Sequence, residues 1–333
     1  MSTCPEPAAH RPHTSTDVDV LSDVIASLRS GRPFANQEDR AGTWHTPFAP
    51  FAGAGFHIVL KGSCELLMPD DRSLTLDIGD VILTPHGTQH VLRDQGRTDT
   101  TFGAPTSLLC GAYRLDRTRS HPLLSALPDV IHLRSQIGHH PALRSAVFLL
   151  GDELANPQQG SSAALSTLLD LLLVYILRAW LQDEADRGAP GWSAALADPA
   201  VGAALSAMHE SPARAWTVEE LGKRANLSRA AFARRFTALV REPPLTYLTW
   251  WRLSVAARLL KESGASLESV AQNIGYGSRY AFAHAFKREH GISPGRYRLT
   301  HTGSQHPTRW HPESGVTERP HADGTSNDSF SNV

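Results

Sequence analysis

The 333 residues are 41% hydrophobic and 20% charged, which is enough apolar content for two packed domains and too much for a disordered chain. The formal net charge of −1 hides a split: residues 211–300 carry 15 Lys and Arg against 6 Asp and Glu, whereas residues 1–210 carry 15 against 23. Only the C-terminal part is therefore expected to meet a polyanion. Cys4, Cys64 and Cys110 have no paired spacing, which excludes a disulfide framework and a zinc finger.

Residues 1–16 are rich in Pro, His, Ser and Thr and lack an apolar signal core, so a disordered leader and a cytoplasmic protein are expected. Residues 19–28 read as a short amphipathic helix, with Val20, Leu21, Val24, Ile25 and Leu28 on one face. From residue 42 to 113 the pattern changes to short apolar or alternating runs at 56–60, 64–68, 74–78, 81–83 and 108–113. Turn residues such as Lys61-Gly62, Pro69-Asp70-Asp71 and Gly79-Asp80 separate them, which predicts a small antiparallel β-barrel or jelly roll over 17–120. Residues 121–210 read as helical, with helices at 141–154, 161–186 and 192–210. The second is apolar over most of its circumference and needs cover on more than one side; a second subunit is one source of that cover. Its apolar stretch, 165–180, contains Asp170 and Arg178 and is short for a membrane span. A linker is expected at 210–213 and a disordered tail over 301–333.

Within 211–300 a nine-residue pattern occurs twice. Ser228-Arg-Ala-Ala-Phe-Ala-Arg-Arg-Phe236 and Ser278-Arg-Tyr-Ala-Phe-Ala-His-Ala-Phe286 agree at six positions, which marks a duplicated unit. In the first copy Thr217-Val-Glu-Glu220 is a capping box that starts a short helix, and Ser228 caps a second helix. In the second copy Ser266 and Ser278 cap the two helices and Gly275-Tyr-Gly277 forms the turn. Phe232, Phe236, Phe282 and Phe286 face the core, and the opposite faces are basic. This is a helix-turn-helix arrangement, whose second helix enters the DNA major groove. Residues 245–262 form a helix between the units, with a buried stripe of Tyr247, Leu248, Trp251, Val255, Leu259 and Leu260. At ~1.5 Å per residue this rod is about 27 Å long, so with its turns it can set two reading helices roughly one DNA turn apart.

Residues 216–298, and above all 270–298, closely resemble the AraC/XylS family of bacterial transcription regulators. The resemblance implies a sequence-specific regulator, an activator by expectation, with double-stranded promoter DNA and RNA polymerase as partners. The DNA-binding residues it implies are Ser228, Arg229, Arg234, Arg235, Ser278, Arg279, Tyr280, His284, Lys287 and Arg296. Arg234 and His284 fall at base-contacting positions, while Ala230 and Ala233 are small where many members carry larger readers. The motif Gly79-x5-Pro85-x-Gly87-x2-His90, together with 56–62, is similar to a cupin-type ligand domain and implies an unknown small-molecule effector. His45, His57, His90 and Cys110 are the candidate ligand-binding residues. No cofactor and no metal are expected, because the usual His-x-His pair is missing. The alternatives are a redox-responsive regulator through Cys64 or Cys110, a metal-responsive regulator through His90 with His57, His45 or His86 as partners, and a cupin metalloenzyme fused to a DNA-binding domain. The expected fold is α+β and multidomain: a cupin-like barrel with flanking helices, then an all-α domain of two helix-turn-helix units joined by a long helix, in a homodimer away from any membrane.

Overall fold

The computed structural model describes residues 19–28, 33–95, 105–114, 121–135 and 139–302. The expected leader and the part of the expected tail after residue 302 lie outside this range. The chain divides into two compact units. One lies within Arg29–Asp183; the other combines Met1–Leu28 with Glu184–Leu299.

The first unit is a pair of antiparallel sheets. Its strands are β1 (Phe34–Arg40), β2 (His45–Phe48), β3 (Ala54–Lys61), β4 (Cys64–Leu67), β5 (Ser73–Leu76), β6 (Val81–Thr84), β7 (His90–Arg93), β8 (Thr106–Tyr113) and β9 (Ile131–Leu133). They are ordered β1-β8-β3-β6-β9 in one sheet and β2-β7-β4-β5 in the other. The expected β domain is thus built as two antiparallel sheets, the jelly-roll form of the two expected. Inward side chains from both sheets, including Phe48, Val59, Leu66, Leu76, Ile82, Leu92 and Leu108, close a common core, as alternation along each strand requires. β3 is central and buried on both faces. Gly111 lies beside it on β8, where a Cβ would sit 2.3 Å from the Phe56 ring and 2.4 Å from the Phe34 carbonyl. β9 falls in a stretch expected to be helical. Its three residues extend the sheet by pairing with β6, a long-range bond that local pattern does not reveal.

The interior of this unit carries a polar chain with one possible direction. His90 Nδ1 lies 2.7 Å from the Thr88 carbonyl, which can only accept, so His90 Nδ1 holds the proton and Nε2 is a lone pair. That lone pair accepts from His57 Nε2–H at 2.7 Å. His57 Nδ1 then accepts from the Cys110 thiol at 3.1 Å. The chain runs from β8 and β3 in one sheet to β7 in the other and satisfies every ring nitrogen it uses. Phe48 stacks on His90 with ring centroids 4.9 Å apart.

Helices α2 (Pro122–Ser125), α3 (Pro141–Ala155) and α4 (Ser161–Asp186) follow. α4 spans the residues expected for it. By length and composition alone it could cross a bilayer. In the fold its Leu169, Leu172, Leu173, Ile176, Leu177 and Ala179 are buried, and the Tyr113 hydroxyl donates to the Leu169 carbonyl at 2.7 Å.

The second unit begins with α1 (Val20–Leu28) and continues from the end of α4 through α5 (Trp192–Ala197), α6 (Pro199–Glu210), α7 (Val218–Arg224), α8 (Arg229–Val240), α9 (Pro244–Glu262), α10 (Leu267–Asn273), α11 (Arg279–His290) and α12 (Pro294–Thr302). The helix expected over 192–210 breaks at Asp198-Pro199, where Asp198 caps α6 by accepting from Ala200 and Val201. α12 replaces the start of the expected tail. α1 packs on α6 and α9 with Val20, Leu21, Val24 and Ile25 buried. His209 of α6 is buried beneath it. Its Nδ1–H donates to Asp23 at 3.0 Å, its Nε2 accepts from the Tyr247 hydroxyl at 2.7 Å, and its ring stacks on Trp251 with centroids 3.9 Å apart.

The duplication covers three helices, not two. α7-α8-α9 and α10-α11-α12 match: Pro244 and Pro294 open the third helix of each copy, and Tyr247 and Tyr297 are both buried. Each tyrosine packs near edge-on against the second phenylalanine of its recognition helix, Phe236–Tyr247 at 6.0 Å and Phe286–Tyr297 at 5.2 Å. The turns use the same bond, Leu227 N–H to Gly222 C=O and Tyr276 N–H to Ala271 C=O, each 2.9 Å. Asn226 takes the positive φ in the first turn and Gly275 in the second. Only glycine fits the second, because a Cβ on Gly275 would lie 2.3 Å from the Ala213 carbonyl. The expected linker is therefore held: Arg252 of α9 donates to the carbonyls of Pro212 at 2.6 Å and Arg214 at 2.7 Å.

Burial holds His57, His90 and His209 below the ordinary imidazole value of 6.5, with the neighbouring His90 adding to the effect on His57. As pH falls below 6.5 the unfolded chain takes up protons that these folded imidazoles refuse. Their contribution to stability is complete above 6.5 and is lost as pH falls. Thermal unfolding between pH 7.5 and 5.5 is expected to show a falling midpoint, by about 2–4 °C per kcal/mol lost. A flat midpoint across that window would contradict three neutral buried imidazoles.

Candidate nucleic-acid interface

α8 and α11 are each set by a serine cap. Ser228 accepts from the Ala231 amide at 3.3 Å and Ser278 from the Ala281 amide at 3.2 Å, which fixes where each helix begins. Their inner faces are locked by fully buried phenylalanine pairs, Phe232–Phe236 and Phe282–Phe286, both 5.6 Å apart. The helices end on a left-handed residue, Arg241 in the first copy and Gly291 in the second. With the inner faces fixed, what points outward follows from 3.6 residues per turn.

On α8 the exposed residues include Arg229, Ala230, Arg234 and Thr237, with Ala233 half-buried. On α11 they include Arg279, Tyr280, His284, Lys287 and Arg288, with Ala283 half-buried. The two faces are superimposable in order: Ala230 stands where Tyr280 does, Arg234 where His284 does, Thr237 where Lys287 does. Tyr280 is 72% exposed, a large ring left in solvent at the start of a helix. Arg279 donates to its hydroxyl at 2.9 Å and lies over its ring at 4.9 Å, so the two side chains form one planar, cationic surface.

Two of the expected contact residues sit elsewhere. Arg235 turns toward α6, where its Nε–H donates to Asp198 Oδ2 at 2.6 Å and its terminal nitrogen pairs with the same oxygen. Asp198 is thereby shared between capping α6 and holding α8, and Arg235 and hydrogen bonding hold its carboxyl below the ordinary range although burial pushes it up. The copy-two equivalent of Arg235 is Ala285, which is buried. Arg296 is exposed on α12, not on a recognition helix. No local pattern marks the Asp198–Arg235 pair, which joins residues 37 apart. Nor did it show the packing of Trp216, whose ring is flanked by the Arg214 guanidinium at 4.1 Å and that of Arg224 at 5.7 Å.

Among the sensor candidates, His57, His90 and Cys110 come together in the interior chain. His45 does not join them; it is exposed on β2. His86 reaches the Leu127 carbonyl at 3.0 Å. Burial pushes the Cys64 thiol up to about 12 and raises Cys110 well above its ordinary value, the condition of structural rather than nucleophilic cysteines. The cupin resemblance raises the question of a metal, and the residues do not fit one. Among the described residues no three His, Cys, Asp or Glu groups are placed to hold an ion. The two ring nitrogens of His57 face different partners, so no single ion could meet His57, His90 and Cys110 as they stand.

Comparison with known proteins matches residues 19–182 to a cupin family and residues 221–300 to a helix-turn-helix domain family. A putative AraC-like transcription regulator from Streptomyces lividans is 32% identical over 309 residues, spanning 87% of this chain and 99% of that protein. The RCS-specific HTH-type transcriptional activator RclR of Escherichia coli K12 is 31% identical, over 73% of this chain and 83% of its own length. The DNA-binding domain of AdpA, solved in complex with a target DNA, aligns with 32% of this chain and 96% of its own at 34% identity, with a TM-score of 0.31. The chain belongs to the AraC-like transcription regulators and joins a cupin domain to an AraC-type helix-turn-helix DNA-binding domain.

Proposed function

We propose that this chain is a sequence-specific promoter binder, acting as an activator under the control of a small molecule bound in the cupin unit. The observation that carries the reading is the pair of capped, phenylalanine-locked recognition helices whose outward faces are cationic and unequal. Nonspecific binding needs only charge; two patterned faces on one rod suit two successive major-groove segments. Arg234 would take guanine O6 and N7 in a bidentate contact, and His284 would take a base edge in the other half-site. Arg229, Arg279 and Lys287 would hold phosphates, which position the protein without reading sequence. Arg235 would act indirectly, by fixing α8 against α6. The name of RclR as an activator favours activation, and an activator implies contact with RNA polymerase. The effector reading is supported by the polar chain Cys110–His57–His90, which runs through the interior between the two sheets.

A second copy of the chain would cover the sensor helices. Phe148 is 73% exposed and Leu149 51% on α3, with Leu171 of α4 at 40%, an apolar surface that solvent does not favour. Sedimentation is expected to show a dimer that the Phe148→Ser, Leu149→Ser double variant weakens. A variant that sediments as the unaltered chain does would remove these residues from the interface.

For DNA, a site selected from random duplexes by the full chain is the probe. Arg234→Ala and His284→Ala are each expected to lower affinity for that site by about 1–3 kcal/mol, with little change on random duplex of the same length and salt. Equal loss on both duplexes would sink the base-reading roles and leave only charge.

A further inference from the structure

We propose that Tyr280 is a specificity-determining residue of the second half-site: its ring reads the C5-methyl group of a thymine in the major groove, and Arg279 is the positioning residue that holds the ring for it. The inference rests on the promoter-binding reading and adds the base that one exposed side chain selects. A single exposed aromatic on a protein surface needs no explanation. Tyr280 is set apart by where it stands and by how it is held. It is the second residue of α11, and the first residues of a recognition helix are those that reach base edges. Its ring is 72% exposed, while the helix behind it is fixed by the Ser278 cap and by the buried pair Phe282 and Phe286.

What the ring can recognise follows from its partner. Among the described residues Arg279 is the one that contacts the phenol: its terminal N–H donates to the Tyr280 hydroxyl at 2.9 Å, and its guanidinium carbon lies 4.9 Å from the ring centre. The hydroxyl is therefore engaged on the protein side, and one face of the ring carries the cation. The other face and the ring edge are left for a ligand, and neither bears a hydrogen-bonding group. In the major groove the apolar mark that separates one base from the other three is the thymine methyl. A ring already held in place gives up less side-chain freedom on meeting that methyl than a loose one would. His284 stands one helical turn further along the same face, so the methyl contact falls beside the base edge assigned to His284. The guanidinium keeps N–H groups beyond the one given to Tyr280, so Arg279 can hold a phosphate while it holds the ring. In the first copy the equivalent residue is Ala230, which offers one methyl group where Tyr280 offers a ring. The thymine requirement is thus expected in the second half-site and not in the first.

Deoxyuridine differs from thymidine only in lacking that methyl. The probes are the duplex selected by the full chain and copies of it in which one thymine at a time is replaced by deoxyuridine. With the unaltered chain, at least one replacement is expected to weaken binding by about fourfold, the worth of one buried methylene. Tyr280→Ala is expected to bind the selected duplex more weakly and to bind that deoxyuridine copy equally well. Tyr280→Phe keeps the ring and is expected to keep the discrimination; its loss there would assign the contact to the hydroxyl and overturn the methyl reading. Arg279→Lys keeps the charge but not the planar group. It is expected to reduce the discrimination while leaving the dependence of affinity on salt as it was, and full discrimination in this variant would remove the positioning role. Both side chains are exposed, so an unchanged thermal midpoint is expected and shows that each variant is folded. Discrimination that survives in Tyr280→Ala, or no deoxyuridine effect at any position, would overturn the thymine reading and leave Arg234 and His284 standing as readers. Failure of the chain to select any sequence would remove the promoter reading and this one with it.

Discussion

Both recognition helices depend on one rod buried in two cores. The first half of α9 gives Tyr247, Leu248 and Trp251 to the core under α8, and the second half gives Leu253, Ala256, Ala257 and Leu260 to the core under α11. A helix held at only one end could swing; this one is clamped at both, so the angle between the reading faces is a packing property. Each fully buried aromatic adds roughly 1.5–3 kcal/mol of burial, and the same side chains set geometry. Arg252 extends the clamp by pinning the segment before α7 to the middle of the rod, and Gly275 lets the second turn close against that segment. The inner surface is therefore over-determined and the outer surface is free to vary. Ala230 and Tyr280 can occupy equivalent places because neither contributes to what holds its helix.

The cupin unit follows a different economy. A thiol and two imidazoles, paired among themselves with one proton per bond, run through its largely apolar interior beside other buried polar groups such as Asp80, Thr84 and His121. A neutral chain of that kind is tolerable in a dry core, whereas a charge there would not be. It fixes β3 and β8 against β7 across the two sheets, so the residues that read in the sequence as metal or redox candidates are first of all a cross-sheet fastening. The buried His209 is handled in the same way, with a donor on one side and an acceptor on the other.

The helices of the second unit were legible because their signals are local: capping serines, phenylalanines four apart, glycines in the turns. The central strands were legible for the same reason. β1 was not, because Asn36, Gln37, Glu38, Asp39 and Arg40 give an edge strand no apolar alternation, and it exists by pairing with β8. β9 is too short to show a period. The base-reading candidates could be placed on outward faces because the inner faces were recognisable. Arg235 could not, because its partner caps another helix, and neither could the seat of α1, where His209 donates to Asp23 across 186 positions. Contacts set by tertiary proximity leave no pattern in a sequence window.

The rod has one further consequence. A helix advances in whole residues, about 100° of rotation and 1.5 Å of rise each. Lengthening or shortening α9 by one residue would therefore not shift the second reading face slightly along the DNA; it would turn it a quarter of a circle or more out of the groove. The smallest change that returns it close to phase is about seven residues, which moves it by roughly 10 Å. The distance between the two half-sites is thus quantised by the rod, and relatives with this arrangement can diversify which bases they read far more readily than how far apart they read them.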